Sequence, residues 1–260
     1  MEILQIVKIG GNVLDDQASL SLFLHDFANL DTRSILIHGG GKIATLMAAR
    51  LGVEGRLVEG RRITSASTLE VVTMVYAGLI NKNIIATLQA MGCNALGLTG
   101  ADAGVLAASK RPKGSVDFGF VGDISAESLD ATRFSVFLDA GLSLVIAPLT
   151  HNNRGQLLNT NADTIASAIA RCTAERYDVR LIYCFEKRGV TDQSGNVFKE
   201  LRWEQYQILK EQGVISGGMI PKLDNAFDTL ASSVKSVQII HASDLIAVAG
   251  GELKGTLILK

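Results

Sequence analysis

The sequence predicts an α/β protein with a central, mostly parallel sheet, and three observations support this prediction. Apolar runs of strand length alternate with amphipathic runs of helix length along the chain. Glycine turns precede helical runs at Gly10–Gly11, Gly39–Gly41 and Gly217–Gly218. Hydrophobic residues make up 47% of the 260 residues and charged residues 20%, which is ample for a sizeable core.

The charge balance argues against nucleic acids and membranes as partners. Lys and Arg together number 25 and Asp and Glu 26, which gives a net charge of −1, and aromatic residues are only 5%. Nucleic-acid binding calls for a basic excess and often for aromatic stacking. No apolar run of the sequence approaches the roughly 20 residues of a membrane span. We therefore expect no nucleic-acid partner and no membrane partner.

The cysteines and histidines indicate a reduced protein without a metal site. Cys93, Cys172 and Cys184 are far apart and form no Cys-x-x-Cys pair. This usage is typical of a reducing compartment, and the N-terminus has no signal-peptide pattern, so we expect a cytoplasmic protein. The histidines show no ligand spacing, and no metal site is predicted from them: they are His25, His38, His151 and His241.

The first strand is predicted over Leu4–Ile9, and it carries a lysine, Lys8, shortly before Gly10 and Gly11. A helical pattern follows from about Gln17. A lysine at the end of a buried strand, beside a glycine turn with accessible N–H groups, suits an anion. The alternative is a lysine whose stem lies along apolar surface while its charge reaches water.

A second strand is predicted over Ser34–Ile37, followed by the glycine turn Gly39–Gly41 and a helix through Leu51. The N-terminus of that helix favours anions. Gly39-x-Gly41-x-x-Ala44 with Glu59 further along also resembles a loose dinucleotide fingerprint, although it follows the second strand and not the first.

The next segments combine a possible anion-binding pair with a long helix. Arg61 and Arg62 beside Gly60 could hold a carboxylate or phosphate, or they could be a solvated hairpin tip. Ser65–Met91 is predicted to be one long apolar helix, either in the core or in a dimer interface.

The middle of the chain is predicted to contain strands at Asn94–Leu98 and Ser143–Ala147, with a helix ending over Phe134–Ala140. Lys110–Asp123 is interpreted as a small antiparallel flap, and Pro148–Gln156 as a polar loop. A helix through Arg171 follows, and near its start stand Asn159 and Asp163. If both residues are helical, their side chains share one face of the helix; if Asn161 caps the helix, they flank its start. From the residues alone, helix capping without a catalytic role is the simpler interpretation.

The last third repeats the alternation, and a shift in composition near residue 174 marks the best candidate for a lobe boundary. Its predicted elements are strands at Asp178–Phe185, Val237–His241 and Thr256–Leu259, a helix over Trp203–Gln212, and a helix through Val234 that opens at Ser216–Lys222.

Five motifs occur in a fixed order, and together they resemble the amino acid kinase family over essentially the whole chain. They are Lys8–Gly11, His38–Gly41, Gly60–Thr64, Asn159–Asp163 and Gly217–Lys222. The resemblance implies an open αβα sandwich of two lobes. Residues 1–173 would bind an acyl-glutamate and form a homodimer, and residues 174–260 would bind MgATP.

The resemblance also implies the reaction and the residues that carry it. A phosphoryl group would pass from ATP to the side-chain carboxylate of N-acetyl-L-glutamate, in arginine biosynthesis. Lys8 and Lys222 would flank that group, and Asp163 would hold both lysines through charge-assisted hydrogen bonds. The backbone N–H groups of Gly11 and Gly41 would donate hydrogen bonds to the transferred phosphoryl group. The acyl-glutamate would be bound by Gly40, Gly41, Arg62 and Asn159. Phosphates and nucleotide would be bound by Gly10, Gly11, Glu186, Lys187, Gly189, Ser216, Gly217, Gly218 and Met219.

Two departures from the family pattern stand out. The family's usual Ser/Thr-Asp-Val-x-Gly run is here Phe185–Gly189, which puts the adenosine side of the site in question, although Gly189 keeps the turn. The chain also starts at its first strand, without the extra helix that links dimers of arginine-inhibited members into hexamers. This predicts a dimer that arginine does not inhibit.

Several alternatives stay open at this point. The acyl group could be succinyl, with Lys110, Arg111 and Lys113 of the flap meeting the extra carboxylate, or these three could be solvated. The substrate could instead be carbamate, UMP or aspartate, as in sibling kinases. A dinucleotide-binding protein and an inactive regulatory subunit are the remaining hypotheses, and the last is disfavoured by the presence of Lys8, Asp163 and Lys222.

Overall fold

The computed structural model describes residues 1–58 and 60–260, together with their side chains except that of residue 127. Glu59, which the dinucleotide hypothesis used, lies outside the described residues. The strands follow the predicted alternation, with short additional strands at the loops. They are β1 (Ile3–Ile9), β2 (Arg33–Ile37), β3 (Arg56–Val58), β4 (Arg61–Ile63), β5 (Ala95–Leu98), β6 (Ser109–Lys110), β7 (Gly122–Asp123), β8 (Ser143–Ile146), β9 (Leu149–His151), β10 (Leu157–Asn159), β11 (Asp178–Phe185), β12 (Glu200–Arg202), β13 (Ser236–His241) and β14 (Thr256–Leu259).

The helices lie between the strands, as expected of crossover connections in a parallel sheet. They are α1 (Gly11–Asp15), α2 (Gln17–Ala28), α3 (Gly41–Arg50), α4 (Ala66–Thr73), α5 (Asn81–Ala90), α6 (Ala131–Asp139), α7 (Ala162–Thr173), α8 (Trp203–Glu211), α9 (Met219–Leu230) and α10 (Leu245–Ala249). Short 3₁₀ turns lie at Asp102–Gly104, Ala126–Ser128 and Ala242–Asp244, and a π-helical segment, Met74–Ile80, joins α4 to α5.

Within the described residues, the central sheet has eight strands in the order β12-β14-β13-β11-β1-β2-β8-β5. Neighbouring strands are parallel except for β13 and β14, which are antiparallel. The predicted α/β class with a mostly parallel sheet is therefore confirmed. The strand pairs β3–β4, β6–β7 and β9–β10 are antiparallel and lie outside this sheet.

Both faces of the sheet are covered by helices, because alternate residues of each central strand point to opposite sides. On one face, Leu4 and Ile6 of β1 pack in a cluster with buried residues of α6, α7, α8 and α9. On the other face, Val7 and Ile9 pack in a second cluster with buried residues of α2, α3, α4, α5 and α10. The result is the predicted αβα sandwich.

The long helix predicted over Ser65–Met91 is present as Ala66–Ala90, with the π-helical segment in its middle. Among the described residues, this helix alone is long and apolar enough to cross a membrane by length and composition, so the expectation that no run approaches that length was wrong. Its most apolar stretch is 44% buried within the fold. Val71, Val72 and Val75 pack into the second cluster, as in a core helix. The helix is therefore weak evidence for a membrane.

The segment Pro148–Gln156 differs from the prediction of a polar loop. Leu149–His151 forms β9, which pairs with β10 so that Asn159 lies opposite Leu149. The hydroxyls of Thr150 and Thr160 are 2.8 Å apart in a buried contact. Two polar side chains are thus buried in this region because they form a hydrogen bond with each other. A pattern of hydrophobicity in the sequence does not reveal such a pair. Asn159 consequently lies on a strand and not on the helix that carries Asp163.

The division into lobes at residue 174 stays a prediction. The position coincides with the end of α7, whose C-cap is Ala174. The central sheet, however, continues through both proposed lobes, since β1 pairs with β11 along its whole length, from Ile3 opposite Asp178 to Ile9 opposite Cys184.

Candidate active site

The strand order reverses at β1, which is the place where ligands bind in open α/β sheets. From β1 the chain extends the sheet to β2 on one side, and after α7 it returns to add β11 on the other side. Ligands in such folds occupy the crevice at the carboxyl ends of the strands, at this switch point. Lys8 is the second-last residue of β1, and Phe185 is the last residue of β11.

Three charged side chains meet at this crevice: Lys8, Asp163 and Lys222, which we call the charged cluster. Lys8 Nζ lies 2.7 Å from Asp163 Oδ1, and Lys222 Nζ lies 3.1 Å from Asp163 Oδ2. The side chains are 7%, 11% and 24% exposed, in the order Lys8, Asp163 and Lys222. One carboxylate therefore holds two ammonium groups that are far apart in sequence.

Local structure explains why the carboxylate lies there. Asn161 caps α7, and its side-chain oxygen accepts hydrogen bonds from the N–H groups of Asp163, at 2.8 Å, and Thr164, at 3.1 Å. The capping interpretation is correct for Asn161. Asp163 is the second residue of α7, where the helix dipole favours a negative charge.

The electrostatics of the charged cluster follow from burial and close pairing. Burial alone would raise the pKa of Asp163, but the two ammonium groups outweigh it and hold that pKa below its ordinary value of 3.8. Burial lowers the pKa of Lys8 below 10.5, a loss that attraction to Asp163 only partly offsets. Asp163 is thus ionised at neutral pH.

A cleft of about 420 Å³ opens beside the charged cluster. Among the residues the structure describes, its lining includes four cationic side chains, Arg61, Arg62, Arg111 and Lys222, and two acidic ones, Asp163 and Asp224. This excess of positive charge suits an anionic ligand.

Two predicted substrate-binding residues, Arg62 and Asn159, line this cleft. Arg62 Nη2 donates to the carbonyl of Gly41 and to the hydroxyl of Thr45, both at 2.7 Å. Asn159 Nδ2 donates to the hydroxyl of Thr64 at 3.0 Å. The hairpin β3–β4 thereby places Arg62 against the N-terminus of α3.

A second cavity, of about 290 Å³, brings together most of the residues predicted to bind nucleotide. Lys222 and Gly218 line both cavities, so the charged cluster lies where they meet. Its apolar lining, among the residues that the structure describes, includes Phe185, Met219 and Ile239. The predicted residues on its wall are Glu186, Lys187, Gly189, Ser216, Gly218 and Met219.

The glycines of the first two turns do not line either cavity. Gly10 donates its N–H to the carbonyl of Cys184 at 3.0 Å, so that N–H is already engaged within the fold, and the phosphate-binding role of Gly10 stays a prediction. Gly11 and Gly41 are the exposed first residues of α1 and α3, and Gly40 is the buried N-cap of α3. Gly217 is exposed beside the second cavity but is not among its lining residues.

His38 and Asn81 hold the second glycine turn in place through hydrogen bonds. Burial lowers the pKa of His38 to about 4, so the ring is neutral at physiological pH. Its Nδ1 lies 2.8 Å from the carbonyl of Gly39, and Asn81 Nδ2 lies 3.3 Å from its Nε2. Asn81 also donates to the carbonyl of Val145 at 3.0 Å, which ties the turn to β8.

We expect Gly40→Ala to lower the free energy of unfolding by about 2–4 kcal/mol, as measured by urea denaturation. Gly40 has a φ of +137°, and a Cβ there would overlap the side chain of Ile80. Gly41→Ala is the matched control, because a Cβ at Gly41 would meet open space. Equal stability of the two variants would contradict the packing seen at Gly40.

Some residues of the cleft were not foreseen. Asp224 and Asn225 follow Lys222 on α9 and line the cleft with it. Asp224 accepts a hydrogen bond from the hydroxyl of Tyr206 at 2.6 Å and lies 3.3 Å from Lys210 Nζ. The sequence did offer one indication of their role: both residues lie within one helical turn after Lys222 on α9.

Comparisons with known proteins agree with this geometry. The sequence profile of the amino acid kinase family matches residues 4–241. The acetylglutamate kinase of Bacteroides fragilis is 47% identical over 256 residues, which are 97% of this chain and 97% of that protein. The acetylglutamate kinase of Cytophaga hutchinsonii is 48% identical over 250 residues, which are 95% of this chain and 94% of that protein.

A solved structure also shares the fold. The crystal structure of smu.665 from Streptococcus mutans UA159 superposes with a TM-score of 0.80 and 26% sequence identity, and the match covers 98% of each chain. One known architecture therefore accounts for nearly the whole length of the chain.

Proposed function

This chain belongs to the amino acid kinase family, and we propose that it transfers the γ-phosphoryl group of MgATP to the side-chain carboxylate of N-acetyl-L-glutamate. The product is N-acetyl-L-glutamyl 5-phosphate, an intermediate of arginine biosynthesis. The observation that carries the proposal is the position of the charged cluster where an electropositive cleft meets a second cavity. The acceptor substrate is taken from the acetylglutamate kinases that match nearly the whole chain.

The residues present suit this reaction. The attacking group is a carboxylate, which is already ionised near neutral pH, so no general base is needed. The catalyst must instead bring two anions together and stabilise charge on the moving phosphoryl oxygens. Lys8 and Lys222 supply two positive charges against the one negative charge of Asp163, so the charged cluster keeps a net positive charge for that task.

We place MgATP in the second cavity, with Mg²⁺ arriving as part of the substrate. Gly218 caps α9, a helix of 12 residues, and the partial positive charge at its N-terminus favours phosphates. The exposed side chains of Glu186 and Lys187 lie on the wall of this cavity and are proposed to face the adenosine.

The flap does not favour a succinyl group as the acyl substituent. Arg111 Nη2 lies 2.5 Å from Asp123, and Lys113 Nζ lies 2.8 Å from Asp117. Lys110 Nζ lies over the ring of Phe120, 4.6 Å from its centroid. Arg111 and Lys113, two of the three cations that could meet an extra carboxylate, are already paired with carboxylates, which supports acetyl as the acyl group.

The proposed reaction is tested by ADP release in the presence of MgATP and one acceptor at a time. We expect turnover with N-acetyl-L-glutamate, and kcat/KM at least tenfold lower with N-succinyl-L-glutamate, carbamate, UMP or L-aspartate. A preference for any of these other acceptors would overturn the proposed substrate, and absence of ADP release with all of them would overturn the proposed activity.

We expect Arg62→Ala to raise the KM for N-acetyl-L-glutamate about tenfold or more, with a smaller change in the KM for ATP. A guanidinium binds a carboxylate through two parallel hydrogen bonds, which alanine removes. Arg56→Ala is the matched control, since Arg56 lies on the same hairpin, is exposed and does not line the cleft. An unchanged KM for the acyl-glutamate in Arg62→Ala would exclude Arg62 as its carboxylate ligand.

We further propose a cytoplasmic homodimer whose interface includes the long helix Ala66–Ala90. Met74 is 54% exposed and Leu79 44% exposed on this helix, so the helix offers apolar surface for such an interface. We expect light scattering to give the mass of a dimer, and Met74→Glu to give a monomer. Leu22→Glu, at an apolar residue 71% exposed on α2, is the control that leaves the dimer intact. A parent that is monomeric or hexameric would contradict this proposal.

A further inference from the structure

The ring of Phe185 lies against both lysines of the charged cluster. Lys222 Nζ is 4.5 Å from the ring centroid, and Lys8 Nζ is 5.1 Å from it. Both distances fall within the range of about 6 Å in which a cation is attracted to the face of an aromatic ring. One aromatic side chain and one carboxylate thus share the same two ammonium groups.

The ring is fixed in place by its own neighbours. Phe185 is 7% exposed. It stacks on Tyr183 with ring centroids 6.3 Å apart and an interplanar angle of 5°. On another side it fills the space next to Gly10, where a Cβ would lie 2.8 Å from Phe185 Cδ1. Because both Tyr183 and Gly10 restrict it, the ring has little freedom to leave the lysines.

Holding the two ammonium groups with one carboxylate and one aromatic ring has an electrostatic advantage at this site. A second carboxylate would hold the two lysines as firmly, but it would cancel the positive charge that the phosphoryl oxygens need. A ring quadrupole attracts both cations and leaves the net charge of the cluster unchanged. Burial strengthens this attraction, because little water competes for the ammonium groups.

We propose that Phe185 is a positioning residue that holds Lys8 and Lys222 at the transferred phosphoryl group. The inference rests on the proposed function and names a further residue that serves the same site. If Phe185 served only to pack against its neighbours, any apolar side chain of similar size would form the wall of the second cavity equally well.

A series of fluorinated phenylalanines at position 185 tests the proposal. Each fluorine withdraws electron density from the ring face, so the attraction to cations weakens while the shape of the ring hardly changes. We expect kcat to fall stepwise through 4-fluoro-, 3,5-difluoro- and 3,4,5-trifluorophenylalanine, by about tenfold at the end of the series. The KM values for both substrates stay within about twofold of the parent.

Phe227 is the matched control for this series. It is also 7% exposed, and it packs on Trp203 and Tyr206, with ring centroids 5.2 Å away in each case. The same fluorinated residues at position 227 leave kcat unchanged. A flat kcat across the series at position 185 would overturn the proposal.

A second measurement separates this proposal from the proposed function. The pKa of Lys8 is read by NMR of labelled lysine in the protein without substrates, and it falls along the series at position 185, because the charged form loses a partner. No change in that pKa would overturn the role of Phe185, even if kcat fell. A parent enzyme that does not phosphorylate N-acetyl-L-glutamate would instead overturn the proposed function, while the NMR series would still show whether the ring holds Lys8.

Discussion

Lys8→Arg is expected to lower kcat by about 10²–10³-fold, the usual effect of losing one preorganised contact in the transition state. A lysine ammonium is a compact charge, whereas a guanidinium is a wide planar fork. Lys8 has no room for the larger group, because its side chain is 7% exposed and lies between Asp163, at 2.7 Å, and the ring of Phe185. The charge is therefore kept but displaced. The measurement is steady-state kinetics with saturating MgATP and N-acetyl-L-glutamate.

The controls for this experiment come from the other lysines of the site and the surface. Lys42→Arg should leave kcat unchanged, since Lys42 is 68% exposed and pairs with Asp15. Lys222→Ala should lower kcat to a similar extent as Lys8→Arg. The double variant should fall short of the product of the two single effects, because residues that act as a unit are not additive. A kcat within about threefold of the parent in Lys8→Arg would leave Lys8 as a structural residue only.

Asp163→Asn is expected to lower both kcat and stability. The amide has nearly the same shape, but two ammonium groups then face each other without a counter-charge. Removing one partner from a buried ion pair costs about 3–5 kcal/mol in the free energy of unfolding. The lysines lose their fixed positions, so we expect kcat to fall by about 10²-fold, with smaller changes in KM.

The pH dependence gives this prediction a second readout. The pKa of Asp163 is depressed in the folded protein, so its stabilising effect is present above the ordinary pKa of 3.8 and is lost as the pH falls through the lower folded value. The stability gap between parent and Asp163→Asn should thus be full at pH 7 and narrow only below pH 3.8. The control Asp139→Asn, at a carboxylate 58% exposed and paired with Arg33, should cost less than about 1 kcal/mol. If Asp163→Asn lowered the free energy of unfolding as little as Asp139→Asn, the buried ion pairs of Asp163 would be contradicted.

The architecture explains how such a costly cluster is tolerated. Lys8 belongs to a central strand whose neighbours, β2 and β11, are hydrogen-bonded along its length. Asp163 is held by the capped start of α7, and Lys222 by the first turn of α9. Each charge is carried by an element whose stability comes from apolar burial elsewhere, so the elements fix the charges in place and do not depend on them.

The sequence by itself determined the class of fold, the course of the chain and most of the residues at the crevice. Periodicity located β11 and β14 to the residue, because each is an apolar run of strand length. The glycine turns with lysines beside them marked where anions were expected. The order of the five motifs indicated a family that the comparisons then showed.

Only the tertiary structure decided which of these residues touch and what lies between them. Asn159 proved to be on a strand, and Gly10 proved to have its N–H engaged. Phe185 had been noted merely as a departure from a pattern, yet its ring contacts both lysines. Contacts of this kind join β1, β11 and α9, which are distant in sequence. Their distances depend on strand order and helix packing, which no local pattern of residues contains.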